Sequence, residues 1–359
     1  MLGKKRRLAL LAEARFTPYD AKTAVGVLRY RPEQVAAVID STRAGSTAGE
    51  CVDVGGTIPV VEDVAAAAAR GADGLAIGIA PQGGGLPEAW RAAVRDAIAR
   101  GWDVLSGLHV FLADDPELAA AAAESGARLL DLRRPPARRT VAAARAAHVD
   151  ALVVLTVGSD CNVGKMTAAL ELTRALGENG ARAAFVATGQ TGILIADRGV
   201  AVDAVVSDFA AGAVETEVLE AAREAEVVVV EGQGSLHHPG YSGVTLSLLA
   251  GSCPRALVLC HAAGRDAIRT AEGAGREIPI PPLRELKRAY ESAAAWVRKA
   301  EVVGVALNTL GLDERAARAA CDSAARELGV PATDPVRFGA GPLARAVLAL
   351  RGRALAPPA

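Results

Sequence analysis

An apolar strand, a glycine-rich turn and a helical run follow one another without a break in VLTVGSDCNVGKMTAALELTRAL, residues 154–176. A strand that feeds straight into a helix can rejoin its sheet only as a parallel neighbour, so this stretch commits the chain around it to an α/β architecture. The turn, Gly158-Ser159-Asp160-Cys161-Asn162-Val163-Gly164-Lys165-Met166-Thr167, has the chemistry of a phosphate cradle. Glycines let backbone N–H groups converge on an anion, the helix N-terminus adds partial positive charge, and the lysine adds a full one. All ten residues are expected to bind a phosphorylated cofactor. The spacing is one residue longer than in the common phosphate loop, and Met166 replaces the hydroxyl that usually organises Mg²⁺. Thr167, one place later, can take that part.

The rest of the chain repeats the pattern. Apolar runs without alternation, suited to strands buried on both faces, are expected at 8–12, 36–39, 75–79 and 103–106, with helices at 62–70 and 88–100. After the connector DLRRPPARRTVAAARAAHVD, five further strands are expected in ALVVLTV, ARAAFVAT, EVVVVEG, RALVLCH and VVGVALNT. The proline- and arginine-rich connector sets a domain boundary, dividing the 359 residues into 1–140 and 141–350. Hydrophobic residues at 51% with aromatics at only 3% suit alanine-rich helices lying close on sheets.

Net charge is −1, which gives no global field for nucleic acid or an anionic membrane. The basic clusters GKKRR near the start and RRPPARR at 133–139 read as a solvated tag and linker. The five cysteines are odd in number and unpaired in spacing, so neither a disulfide framework nor a metal site is expected, and a reducing cytoplasm fits. No apolar run is long enough for a membrane span. A homo-oligomer is compatible with the apolar helices.

The polar motifs all fall at predicted strand ends, where ligands bind in parallel sheets. VVVVEGQGSLHHPGYSGVTLSLL, residues 227–249, carries Glu231, His237, His238, Tyr241 and Ser242. Glu231 can hold Mg²⁺ or act as a base, His237 and His238 can be metal ligands, acid/base groups or substrate donors, and Tyr241 and Ser242 suit substrate polar groups. TGQTG offers Gln190 to a substrate, and LCHAAGR offers Arg265 as an anion clamp. Asp208 can act as a second acid near the phosphates, and Asn308 ends the ALNT strand, where a likeness to dethiobiotin synthetase implies contact with a nucleotide base. APQGGGLP offers a further glycine run ahead of a helix. Cys161 reads as a lining residue, because no base adjoins it in the sequence.

Three long stretches, TVGSDCNVGKMTAALEL, VEGQGSLHHPGYSGVTLSLL and APQGGGLPEAWRAAVRDAIARGWDVLSGLHVFL, together resemble the DgcN-like family, long catalogued as a domain of unknown function. The resemblance implies an N-terminal Rossmann-like domain and a C-terminal P-loop NTPase-like domain with a mostly parallel sheet. It also implies acetyl transfer from acetyl-CoA to the amine of D-glutamate, with a partner epimerase acting on the product. The adenosine 3′-phosphate diphosphate of CoA would then occupy the loop. The loop also resembles that of dethiobiotin synthetase, which implies the alternative of an ATP- and Mg²⁺-dependent ligase. A regulatory nucleotide-binding module is the third reading.

Overall fold

The computed structural model describes residues 6–18, 20–79, 85–268 and 277–355. The chain forms two compact units, one of residues 1–135 with 189–204 and one of residues 136–188 with 205–359.

In the first unit the chain runs through β1 (Leu8–Leu11), α1 (Lys22–Tyr30), β2 (Val35–Ile39), α2 (Ala48–Val52), β3 (Val60–Val61), α3 (Val64–Ala69), β4 (Gly74–Ile77), α4 (Glu88–Ala99), β5 (Asp103–Ser106), α5 (Pro116–Ser125) and β6 (Leu129–Asp131). Every strand pairing is parallel, in the order β3-β2-β1-β4-β5-β6. This is the doubly wound order, with its switch point between β1 and β4. In dinucleotide-binding folds of this order an acid some twenty residues beyond the glycine-rich turn takes the ribose. Here Asp40, just past β2, spends its carboxylate on the N–H groups of Ala14, Phe16 and Thr42 and on the Thr42 hydroxyl.

The second unit contains β7 (Leu152–Gly158), α6 (Lys165–Glu178) and β8 (Ala183–Val186). The chain then leaves for α7 (Gln190–Ala196) and returns through α8 (Ser207–Ala221), β9 (Val227–Val230), α9 (Ser242–Ser252), β10 (Ala256–Ala262), α10 (Leu283–Ala295), β11 (Glu301–Asn308), α11 (Glu314–Leu328), β12 (Ala332–Thr333) and α12 (Gly341–Leu355). Its six strands are again all parallel, in the order β12-β11-β10-β7-β9-β8. Val227 to Val230 are fully buried, which is why these strands read as unbroken apolar runs. The central strand β7 lies between β9 and β10, so whatever follows those two strands flanks the loop that follows β7.

The segment 189–204 packs with the first unit. Thr191 and Thr23 share a hydroxyl–hydroxyl bond of 2.8 Å, and the Arg31 guanidinium donates to the Ile195 carbonyl at 2.8 Å. One arginine in each basic cluster departs from the solvated reading, while Arg7, Arg134, Arg138 and Arg139 are exposed. Arg6 is buried and donates to Asp103. Arg133 is buried, donates to the Gly107 carbonyl at 2.7 Å and pairs with Asp203. In each case folding supplies an acceptor from a distant strand or helix, which composition does not reveal. Burial acts to raise the Asp103 pKa, but hydrogen bonds from Arg128 and Arg6 prevail and hold it at about 2. The glycine run of APQGGGLP falls largely at 80–84, outside the described residues.

Candidate functional site

The loop between β7 and α6 is fixed by its own polar groups. Gly164 has φ +99°, a conformation reserved in practice for glycine, and Asn162 takes φ +55°, which asparagine tolerates. The Asp160 carboxylate is buried; one oxygen accepts from the Cys161 N–H at 2.6 Å and the other from the Arg265 guanidinium at 3.0 Å. The same Arg265 nitrogen donates to the Cys161 carbonyl at 2.8 Å. Lys165 donates to the Asp160 carbonyl at 2.7 Å and is only 6% exposed. Burial lowers its pKa, and the neighbouring Cys161, Cys260, Asp160 and Glu231 act the other way. Ser159 is bonded through its hydroxyl to His261 Nδ1 at 2.8 Å. Val163 is buried, and Met166 and Thr167 are half-buried in the first turn of α6. That helix has no side-chain cap at its N-terminus, so its first N–H groups are left for an anion.

Both flanking strands deliver the residues expected of them. Glu231 leaves β9 and accepts from the Thr188 N–H at 2.9 Å, while the Thr188 hydroxyl donates to the Glu231 carbonyl at 3.0 Å. Gln233 donates to the Thr188 carbonyl, and Thr245 on α9 donates to the Gln233 carbonyl at 2.8 Å. Gly232 lies against β7: a methyl group there would collide with the Thr156 carbonyl, and its N–H donates to the Thr156 hydroxyl at 2.9 Å. The EGQG sequence is therefore a close approach of two backbones.

The histidine loop comes next. His238 is 5% exposed, its Nδ1 accepts from the Gly240 N–H at 3.1 Å, and its ring lies 4.6 Å from that of Tyr241. An acceptor Nδ1 puts the proton of the neutral ring on Nε2. Among the described residues, five buried side-chain N or O atoms have no hydrogen-bond partner, and four belong to this loop: the Ser235 hydroxyl, both His237 ring nitrogens and His238 Nε2. Burial lowers the His237 pKa, and Asp160 opposes it. The Ser159 backbone also favours the protonated form, though neither ring nitrogen makes a hydrogen bond. Such orphaned groups are rare in folded proteins and call for a partner, whether ligand, ion or water.

A ring nitrogen of His238, the Cys161 sulfur and an Asp160 oxygen lie within 4.8 Å of one another. These are metal-ligand atom types, brought together by the fold although the cysteine spacing gave no sign of it. The lining reading of Cys161 rested on the lack of a neighbouring base; the fold supplies an imidazole from a loop far away in sequence.

Other expected site residues are distributed as follows. Asn308 ends β11 beside Gly164 and accepts from the Leu310 N–H at 3.0 Å. Tyr241 is 53% exposed and Ser242 opens α9. Gln190 opens α7 in the first unit, where its side-chain oxygen accepts from Arg133 at 2.7 Å. Asp208 is exposed in the first turn of α8. His261 ends β10, and burial lowers its pKa.

One residue that sequence reasoning passed over holds the two loops together. Tyr290 on α10 is fully buried, and its hydroxyl donates to the Gly158 carbonyl at 2.7 Å while accepting from the Leu236 N–H at 3.2 Å. Burial pushes its pKa up, so it stays a neutral phenol. On an amphipathic helix a tyrosine reads as core, and only the fold shows what its oxygen meets.

Fold and site together define a two-domain α/β protein, Rossmann-like in the first domain and carrying a phosphate loop in the second, with two histidines beside the loop. The chain belongs to the DUF1611 family. The family's N-terminal Rossmann-like domain matches residues 41–135 and its C-terminal P-loop domain residues 140–344. A protein of Tritonibacter scottomollicae named D-glutamate N-acetyltransferase is 37% identical over 92% of this chain and 95% of its own length. One of a Pseudoalteromonas species with the same name is 38% identical over 76% of this chain and 80% of its own length. The crystal structure of a DUF1611 family protein from Anabaena variabilis superposes with a TM-score of 0.90 at 41% identity, covering 96% of this chain and 99% of that one. Among the described residues no helix is long and apolar enough to cross a membrane.

Proposed function

We propose that this protein is an N-acetyltransferase that moves the acetyl group of acetyl-CoA to the amine of D-glutamate or a similar amino acid. The observation that carries the reading is the group of orphaned polar atoms at Ser235, His237 and His238 beside a phosphate loop. The names of the two curated relatives point the same way.

Acetyl transfer to an amine needs a base for the ammonium proton, donors for the developing oxyanion and cations for the substrate's charges. His237 fits the base: its ring is kept neutral by burial and both nitrogens are without a partner. Glu231 fits less well, since its carboxylate already accepts a main-chain N–H. His238 presents an Nε2–H and Ser235 a hydroxyl, both suited to an oxyanion. Lys165 and the uncapped N-terminus of α6 suit the phosphates of CoA. Tyr241 and Ser242 flank this group from the start of α9 and suit the amino acid. Arg265 spends one guanidinium nitrogen in holding the loop.

The ATP-dependent alternative needs Thr167, Asp208 and Glu231 to gather around Mg²⁺. Asp208 is exposed on α8, and one Glu231 oxygen already accepts the Thr188 N–H. Isothermal titration separates the two readings: CoA binds without Mg²⁺, and the binding is lost in Lys165→Ala. Tight MgATP binding with no heat from CoA would overturn the proposal.

A further inference from the structure

Three nucleophile-type side chains stand at the phosphate loop, and they differ in access. Ser159 is fully buried and bonded to His261. Cys260 is fully buried, and burial pushes its thiol up to about 12. Cys161 alone of the three is partly exposed, and its sulfur shares a 4.8 Å cluster with a ring nitrogen of His238.

We propose that Cys161 carries the acetyl group, so that transfer runs through an S-acetyl-cysteine at this position. The proposal rests on the acetyltransferase reading and specifies its route. Four features of the site support it. His238 is almost wholly buried and its Nε2 has no partner; with Nδ1 held by Gly240, Nε2–H is a donor suited to a sulfur anion or a thioester oxyanion. Lys165 lies close enough for the Cys161 sulfur to act on its ionisation, and Arg265 grips the Cys161 carbonyl. The Asp160 carboxylate shares the cluster with the sulfur, so attack needs a base to take the thiol proton. Both Asp160 oxygens already accept hydrogen bonds, from Arg265 and from the Cys161 N–H, which makes them poorer ligands for a divalent metal. Finally, Cys161 precedes the uncapped end of α6 by a few residues, where negative charge is favoured.

The step balances as follows. The Cys161 thiol proton passes to the neutral His237 imidazole, directly or through one water. The sulfur attacks the acetyl carbonyl of acetyl-CoA, a new C–S bond forms, and the bond to the CoA sulfur breaks. The departing CoA sulfur takes the proton back from His237. In the second half the substrate ammonium releases one proton to solvent, and the free amine attacks the S-acetyl carbonyl. His237 takes the second proton from the nitrogen as the amide forms, the bond to the Cys161 sulfur breaks, and His237 returns that proton to the departing sulfur. One base serves both halves, with no oxidant or further co-reactant.

The test uses the full chain with acetyl-CoA and no acceptor. The proposal expects a burst of one CoA thiol per chain and one acetyl group on the peptide containing Cys161, discharged on addition of D-glutamate. It also expects parallel initial-velocity lines. Cys161→Ala, with an unchanged thermal melt, should lose turnover by about a hundredfold or more. Steady turnover by the wild type with no acetylated intermediate, together with a Cys161→Ala variant of unchanged rate, would overturn the proposal and leave direct transfer standing. Stoichiometric zinc in the purified protein, lost with Cys161→Ala, would make Cys161 a ligand and overturn it as well. No CoA release with any acceptor would remove the acetyltransferase reading itself.

Discussion

Replacing Tyr290 by Phe removes one oxygen and keeps the ring that fills the core. The lost hydroxyl is the donor to the Gly158 carbonyl at 2.7 Å and the acceptor from the Leu236 N–H at 3.2 Å, in a fully buried position. Each buried group left without its partner costs about 1–3 kcal/mol, so the substitution, which orphans two, should cost about 2–6 kcal/mol in all. The unit that contains it has about 200 residues, and a loss of that size should lower its melting temperature by roughly 4–24 °C. Urea unfolding followed by far-UV circular dichroism gives the free energy directly. The hydroxyl also ties the start of the phosphate loop to the histidine loop, so kcat should fall by about tenfold or more while the fold survives. A stability change below about 0.5 kcal/mol, the level of a neutral surface substitution, would refute the reasoning. So would full activity in a destabilised protein, because the tie would then have no bearing on the site.

Four further outcomes are expected. The acid limb of the kcat/KM profile should lie below pH 6.5, because burial lowers the His237 pKa from that value; His237→Gln should abolish the limb, and a limb above pH 6.5 would contradict the assignment. The same residue gives a sign for stability: below pH 6.5 the unfolded chain binds the proton more readily than the folded one, so stability falls as pH drops, and His237→Gln should flatten that slope. Gly232→Ala should destabilise by about 2–3 kcal/mol through overpacking against Thr156, measured by denaturant titration, whereas the exposed Gly243 should accept alanine with little change. Asp103, held at about 2, stabilises the first unit above its ordinary value of 3.8, and this contribution should vanish as pH falls through about 2; Asp103→Asn should remove that part of the acid transition.

Much of the fold was legible because its strands are buried on both faces and so appear as unbroken apolar runs; β7, β9 and β10 are the plainest cases. The edge strands β3 and β12 have two residues each, too few for any periodicity to register. The phosphate loop was legible from its glycines, since a φ of +99° at Gly164 leaves little choice of residue. The two histidines were legible as a polar cluster at a strand end, but their roles were not. Which ring is neutral and which nitrogen is engaged depends on burial and on Gly240, and neither is written in the HH pair itself. Gln190 shows the opposite limit: its motif follows a strand of the second unit, yet the chain carries it into the first, where Arg133 holds it. Tyr290 and the nearness of Cys161 to His238 join residues far apart in sequence, and single residues at such distances leave no pattern to read.

The central claim is that the phosphate loop serves acetyl transfer. A thiol-release assay tests it most directly: purified protein with acetyl-CoA and a panel of D- and L-amino acids, each with and without MgATP. The account predicts CoA release with D-glutamate or a close analogue, at a rate indifferent to MgATP. No release with any acceptor, together with ADP formation when MgATP is present, would contradict it and assign the loop to phosphoryl chemistry.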